Sequence, residues 1–286
     1  MTIEQDISPG TVSKILWHFT GGPKWNKKRK KQNVSPKPAN MAYKNLISIM
    51  RTKELRLGSY KEVVRAILPK RRKFNLKTKK HETHLNVPID IESSSICCLS
   101  DIPAPHLRYH AYRYGKFAIG FHRDAIIQAG FNPVFYTLHD TPIIRSIYRG
   151  FSFLDYADPN MIRNATYEIA SEVSDYDYIN IDTYIDDIEE ETDSFEMAIS
   201  KIKKNLENFV AFVKTFDRDE FGTIYCEREW RSTKSYGFDF NDVALIVLPR
   251  IVGEFQYFEH FTEKVAPNLK LPRKIPIVPW DDLVEH

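Results

Sequence analysis

Short apolar runs and longer amphipathic segments share the chain without a fixed repeat. The apolar runs predict strands at 12–20, 95–103, 116–121, 132–138 and 243–248. Apolar residues at helical spacing predict helices at 41–53, 141–156, 193–216 and 254–266. Strands and helices that do not alternate regularly indicate an α+β fold and argue against a doubly wound parallel sheet.

Several residues are predicted to cap these helices. Asn40 precedes the first helix, Asp124 precedes a short helix that Gly130 ends, and Asp193 or Ser194 precedes the longest helix. The apolar stripe of that longest helix is predicted to comprise Phe195, Ile199, Ile202, Leu206, Phe209, Val210 and Val213. The histidine- and tyrosine-rich stretch 107–114 is interpreted as a connection.

Length and composition predict one elaborated cytoplasmic domain over residues 1–286. The chain is 42% hydrophobic, and no apolar run approaches the roughly 18 residues of a membrane span. The first residues lack the basic start and apolar stretch of a secretory signal. Without such an apolar run we expect no membrane partner. Cys97, Cys98 and Cys226 lack metal-site spacing, so we expect reduced thiols and no bound metal.

Charge is strongly segregated although the formal net charge is only +3. Basic loops are predicted near 24–37 and 70–80, and an acidic insertion near 172–196. A basic surface attracts phosphates, which makes RNA or DNA a candidate partner; the alternative is that these runs are solvated loops. The predicted nucleic-acid-binding residues are Lys27, Lys28, Arg29, Lys30, Arg71 and Arg72.

The octapeptide YCEREWRS at 225–232 concentrates charge around one tryptophan. In a strand, Glu227, Glu229 and Arg231 share one face, while Trp230 packs into the core from the other. Charge on both faces indicates a sheet edge or a polar cleft, because burying unpaired charge is costly. The glutamates either form salt bridges to nearby arginines or lysines, or take part in catalysis.

Motifs of the common enzyme classes are missing from the sequence. It contains no GxGxxG after a strand, no GxxxxGK[ST], no HExxH and no GxSxG. The acidic stretch also lacks the carboxylate arrangement of a metal nuclease.

Five segments in order resemble a family of bacterial phage-resistance proteins. WHFT at 17–20, CLSDIP at 98–103, YGKFAIGF at 114–121, NPVFY at 132–136 and EREWR at 227–231 are similar to the abortive-infection AbiGi family, whose members are labelled antitoxins. The same series more distantly resembles the ADP-ribosyltransferase fold. That resemblance implies a pair of small mixed or antiparallel sheets flanked by helices, with NAD as substrate in the cleft between them.

The second resemblance also implies roles for individual residues. Glu229 would stabilise the oxocarbenium-like transition state of nicotinamide release, and Glu227 would orient or deprotonate the acceptor. The residues implied to hold NAD are His18, Phe19, Thr20, Ser100, Tyr114 and Arg231. Arg231 would contact either a phosphate or the glutamates themselves.

Two functions therefore remain open. The first is an NAD-dependent ADP-ribosyltransferase in anti-phage defence that modifies nucleic acid, held in check by a toxin-antitoxin partner. The second is a non-catalytic antitoxin that binds a toxin or nucleic acid. Catalysis requires Glu229, His18 and Arg231 to meet in one pocket, whereas a binding protein requires no such convergence.

Overall fold

The computed structural model describes residues 13–26, 28, 31–32, 35–75, 79–139, 141–156, 195–216 and 227–284. The chain divides into two compact units. The first comprises Met1–Glu62, Ser95–Tyr136 and Ala211–His286, and the second comprises Val63–Ser94 and Thr137–Val210. The described residues confirm a mixed α+β fold.

A seven-stranded sheet organises the first unit. In chain order its strands are β1 (Ile15–Phe19), β2 (Cys97–Ser100), β3 (Ala118–His122), β4 (Asn132–Pro133), β5 (Glu229–Ser232), β6 (Val243–Leu248) and β7 (Ile277–Pro279). Their spatial order is β7-β6-β3-β1-β2-β5-β4. Neighbours are antiparallel except β6 and β7, which run parallel.

Both faces of this sheet are buried, because successive side chains of the central strands enter different clusters. Leu16 of β1 and Ile246 of β6 belong to the larger apolar cluster. Their neighbours Trp17 and Val247 belong to a smaller cluster with Trp280. Burial on both faces explains why VALIVL reads as a continuous apolar run.

Helix α1 (Ala39–Thr52) covers the face that holds the larger cluster. Leu46 and Met50, one helical turn apart, are fully buried in that cluster. The predicted cap at Asn40 is wrong, because the helix begins at Ala39 behind Pro38 and Asn40 lies inside it. Pro38 suits the position before the helix for two reasons: its φ is fixed by the ring, and the N–H that proline lacks is not needed for the hydrogen bonds of the helix.

Two further elements differ from the sequence predictions. The stretch interpreted as a connection forms helix α2 (Leu107–Tyr114), which buries Leu107 and His110 and ends at Gly115. Helix α3 (Arg123–Gln128) begins after His122, so Asp124 lies in its first turn instead of capping it. Gly130 has a positive φ and ends this segment as expected.

The predicted strand at 132–138 is divided in two. Asn132–Pro133 belongs to the main sheet, whereas Phe135–Leu138 starts a separate two-stranded ladder with Val213–Phe216. At the start of that ladder the Phe135 N–H donates to the Phe212 carbonyl. Pro133 lacks an N–H, which suits β4 to the edge of the sheet.

Short elements complete the first unit. Antiparallel pairs join Trp25–Asn26 to Lys31–Gln32, Glu54–Leu55 to Tyr236–Gly237, and Ile251–Val252 to Phe255–Gln256. Short 3-10 helices span Ala104–His106 and Phe240–Asp242. The predicted helix at 254–266 begins later, as helical turns Tyr257–His260, Phe261–Val265 and Ala266–Asn268, and Trp280–Val284 forms a last helix.

The second unit contains most of a long hairpin, Lys61–Asn75 with Lys80–Ser95, and helices α4 (Pro142–Tyr156) and α5 (Phe195–Val210). The prediction of a loop at 70–80 is therefore wrong over most of its length, because basic residues there continue a strand. Asp193, Ser194 and the acidic stretch 172–194 lie outside the described residues. Among the described residues, no helix has the length and apolar character that a membrane crossing requires.

The predicted helix at 193–216 is also too long. Helix α5 stops at Val210, and Val213 belongs to the following strand, Val213–Phe216. Two members of the predicted apolar stripe, Ile202 and Phe209, are exposed, while Val210 is buried. The sequence Val-Lys-Thr-Phe is rich in β-branched and aromatic residues, which favour a strand when a ladder partner is available.

Candidate functional site

A cleft of about 470 Å³ lies within the first unit, beside β1, β2 and α1. Seven of the eight residues predicted for catalysis or NAD binding line it: His18, Phe19, Thr20, Ser100, Tyr114, Glu227 and Glu229. The eighth, Arg231, is fully buried behind Glu229. The tertiary structure therefore gathers residues that are up to about 210 positions apart in the sequence around one cavity (from 18 to 229).

The two glutamates reach this cleft by a different geometry from the one predicted. Strand β5 begins only at Glu229, and Arg228 before it has a left-handed φ of 41°. The Asp101 N–H donates to the Arg228 carbonyl over 2.9 Å, and the Arg228 guanidinium donates to the Asp101 carboxylate over 3.2 Å. These contacts hold the bend, since a left-handed non-glycine residue needs tertiary support.

Lys214 is shared by the two glutamates. Its ammonium donates to Glu227 Oε2, and to Glu229 Oε2 over 3.1 Å. The three side chains are nearly fully buried. Burial alone would lower the pKa of Lys214, but the two carboxylates outweigh it and raise that pKa well above its usual range. Lys214 is therefore protonated at neutral pH.

Arg231 extends the cluster away from the cleft. It donates to Glu229 Oε2 over 2.8 Å, to Glu62 Oε2 and to the Ala211 carbonyl over 2.7 Å. Burial would raise the pKa of Glu229, but Arg231 and Lys214 outweigh it and hold that pKa well below its usual range. Of the two contacts considered for Arg231, the one observed is with a glutamate.

Glu227 has further partners on α2. Arg113 donates to Glu227 Oε1 over 3.0 Å, and the Tyr114 hydroxyl donates to the same oxygen over 3.1 Å. We define the ion-pair cluster as Glu62, Arg113, Lys214, Glu227, Glu229 and Arg231. It contains three carboxylates and three cations joined by hydrogen bonds, so its formal charge is zero.

Two neutral imidazoles flank the cluster. His18 Nδ1 lies 3.1 Å from the Cys98 carbonyl, which can only accept, so Nδ1 carries the proton and Nε2 is an acceptor. His110 Nε2 lies 3.1 Å from Ser100 Oγ, and its ring stacks on Tyr114 at 4.3 Å. Burial lowers the pKa of His18 and lowers that of His110 to about 4.

The hydroxyl groups of Thr20 and Ser100 form different hydrogen bonds. Thr20 Oγ1 donates to the Ala42 carbonyl over 2.8 Å and ties β1 to α1. Asn45 of α1 returns a bond to the Thr20 carbonyl over 3.1 Å. Ser100 contacts His110, and Phe19 contacts the same ring at a centroid distance of 4.7 Å. Thr20 therefore orients the wall of the cleft, and its hydroxyl hydrogen is already used.

The predicted nucleic-acid-binding residues fall mostly outside the described part of the chain. Lys27, Arg29 and Lys30 are not described, and Lys28 is exposed in a turn. Arg71 and Arg72 lie on the strand Lys61–Asn75, and their side chains are not described. Nucleic-acid binding by these residues stays a prediction.

Sequence reasoning missed Lys214, Glu62, Arg113 and His110. Lys214 lies near the end of the predicted helix 193–216, and Glu62 and Arg113 carry no motif that sets them apart from other charged residues. The available signal was the strand-favouring stretch Val-Lys-Thr-Phe at 213–216. Only the fold brings Glu62, 169 positions from Arg231, into contact with it.

A family model described as "Putative abortive phage resistance protein AbiGi, antitoxin" matches residues 61–270. This range covers 210 of the 286 residues and includes Glu62, β5 and β6. No curated protein and no solved structure matches the chain.

Proposed function

Because the chain belongs to the AbiGi family of abortive phage resistance antitoxins, we propose that it is the antitoxin of an abortive-infection system and acts by binding a cognate toxin. The family match over most of the chain carries this proposal. Binding a protein partner does not require a reactive centre. It requires a surface that a stable fold presents in a fixed form.

The ion-pair cluster supports a structural role for the charged strand. A catalytic carboxylate that stabilises positive charge needs an oxygen that faces the substrate. In this cluster Glu229 Oε2 accepts from Lys214 and Arg231, and both oxygens of Glu227 accept from Lys214, Arg113 or Tyr114. The carboxylates are thus balanced internally, which favours support of the fold over chemistry.

The test is co-expression with the product of the adjacent gene in the bacterial host. We expect the adjacent product alone to arrest growth and this chain to restore it. We also expect the two purified proteins to elute together in size-exclusion chromatography. Growth arrest by this chain alone, relieved by its neighbour, would reverse the assignment. Restored growth without a complex would exclude neutralisation by direct binding.

A second function, ADP-ribosyl transfer from NAD, rests on a different observation, the seven predicted residues around one cavity. In this reaction the bond between nicotinamide and ribose breaks, nicotinamide leaves with the bonding electrons, and an acceptor nucleophile bonds to the ribose carbon. Glu229 would stabilise the positive ribose, and Glu227 would take the proton of the acceptor. Both glutamates would first have to release their hydrogen bonds to Lys214 before they could contact the substrate.

Transfer of labelled ADP-ribose to cellular RNA, DNA and protein tests this second function. We compare the wild type with Glu229→Gln and, because Glu229 is a buried ion-pair partner, confirm folding of the variant by circular dichroism. Label on nucleic acid that disappears in the folded variant would support transfer. A wild type that leaves NAD intact, both alone and with its partner, would eliminate it. Neither result depends on the co-expression test.

A further inference from the structure

Lys37 belongs to the basic run at 24–37 in the sequence, and the fold places it in the wall of the cleft. It precedes α1 and lies close enough to His18 for its positive charge to lower the pKa of that imidazole. Lys24 is near enough to repel it, and burial together with Lys24 lowers the pKa of Lys37. We call Lys24 and Lys37 the lysine pair.

The lysine pair has no anionic partner among the described residues, unlike Lys214. Lys37 is half-buried and Lys24 is exposed, and neither forms an ion pair with a described carboxylate. Because Lys37 lies in the wall of the cavity and is repelled by a second ammonium group, an anion bound beside it would be stabilised by its charge and would reduce that repulsion. This arrangement differs from an ordinary exposed lysine, which simply remains in water.

The backbone fixes Lys37 in place. Its N–H donates to the Gly21 carbonyl over 2.8 Å, which joins the residue to the loop that follows β1. That loop packs closely against Tyr114. A Cβ added at Gly21 would lie only 2.6 Å from the Tyr114 carbonyl oxygen, and one added at Gly22 would lie 3.3 Å from the Tyr114 ring. The ammonium is therefore attached to a preorganised part of the cleft.

The rest of the cleft provides surfaces suited to a nucleoside. Phe19, Tyr60 and Tyr114 are aromatic residues of its lining, and Asn45 and Ser48 of α1 are polar ones. Aromatic rings can stack on any base, and His18 Nε2, as an acceptor, can receive a hydrogen bond from a ribose hydroxyl. A cavity of about 470 Å³ falls in the range of small-molecule sites, roughly 300–1,000 Å³.

We propose that the cleft binds a nucleoside phosphate, with Lys37 contacting the phosphate and the aromatic residues of the lining contacting the nucleoside. This site does not depend on the toxin-binding function, since it lies in one unit of the chain and needs no partner. A free nucleotide, a dinucleotide and the 5′ end of an RNA strand share this chemistry. The charge of the phosphate decides affinity in each case.

Isothermal titration calorimetry with AMP and adenosine tests the proposal. We expect the wild type to bind AMP about tenfold more tightly than adenosine, because a hydrogen bond to a charged group is worth roughly that factor. In Lys37→Gln the affinity for AMP should fall to that for adenosine, while the affinity for adenosine stays unchanged. Lys44→Gln, on the exposed face of α1, is the matched control and should bind AMP like the wild type.

The same titration identifies the source of the phosphate. NAD and a tetranucleotide RNA with a 5′-phosphate are compared with AMP, and the same RNA with a 5′-hydroxyl serves as its control. A preference for any phosphate-bearing probe that Lys37→Gln removes supports the proposal and names the ligand. Equal binding of AMP and adenosine, no binding of any probe, or unchanged binding of AMP by Lys37→Gln overturns it.

Discussion

The ion-pair cluster and the lysine pair each contribute residues to the same cleft, but their charges are balanced differently. In the cluster, three carboxylates and three cations neutralise one another through short contacts, and Arg231 is completely buried. In the lysine pair, the positive charge of Lys24 repels that of Lys37, and neither forms an ion pair with a described carboxylate. The contrast separates charge that supports the fold from charge that is available to a ligand.

Burial explains the difference. A charge removed from water must find a partner within the protein, so each member of the cluster is held by others. A half-exposed ammonium keeps part of its hydration and tolerates a repulsive neighbour at small cost. Substitutions in the cluster should therefore act mainly on stability, and substitutions in the lysine pair mainly on binding.

The largest expected effect is that of Arg231→Met. It leaves Glu229 and Glu62 buried without their guanidinium, and we expect the free energy of unfolding in urea to fall by about 3–5 kcal/mol. Arg250→Met is the matched control, because Arg250 pairs with Asp282 at the surface and its loss should cost about 0–1 kcal/mol. If both variants lost a similar free energy of unfolding, the burial of Arg231 would not make its ion pairs more important for stability than those of Arg250.

A double-mutant cycle of Lys214→Met and Glu229→Gln measures the coupling inside the cluster. The two side chains are hydrogen-bonded, so we expect an interaction energy of about 1–3 kcal/mol from urea denaturation. The same cycle with Lys214→Met and Asp282→Asn should show additivity, because Asp282 pairs with Arg250 at the surface. Strict additivity of the first pair would contradict a shared network.

His110 predicts a pH dependence next to the cluster. Its pKa is about 4 in the fold and about 6.5 in the unfolded chain, so protons bind preferentially to the unfolded state between these values. The free energy of unfolding should therefore decrease as the pH falls, by about 2 kcal/mol between pH 6.5 and pH 5. His110→Gln should lose less over this range, and identical pH curves would exclude His110 as the cause.

The smallest effect on stability is expected in the lysine pair. Lys37→Gln removes the repulsion from Lys24, so the free energy of unfolding should stay unchanged or rise by up to about 0.5 kcal/mol. Any gain should vanish in 0.5 M NaCl, because salt screens the repulsion between the lysines. A loss above about 1 kcal/mol, with no loss in Lys44→Gln, would show that Lys37 supports the fold.

Local sequence patterns were sufficient to predict an element where the spacing of its apolar residues matches the period of a buried strand or helix. The apolar run VALIVL became β6, and the spacing of Leu46 and Met50 became the buried face of α1. The same reasoning failed at 211–216, where the choice between helix and strand depended on a ladder partner that lies far away in sequence. The spacing of apolar residues within a segment does not reveal which remote strand will pair with it.

For the cleft, the sequence by itself determined that Glu227, Glu229 and Arg231 are concentrated around Trp230 in one charged segment. Only the tertiary structure decided that Lys214 and Glu62 neutralise them, and that Lys37 lines the same cavity as His18. Electrostatic energy depends on distance and burial in space, and both are set by contacts between residues that are remote along the chain.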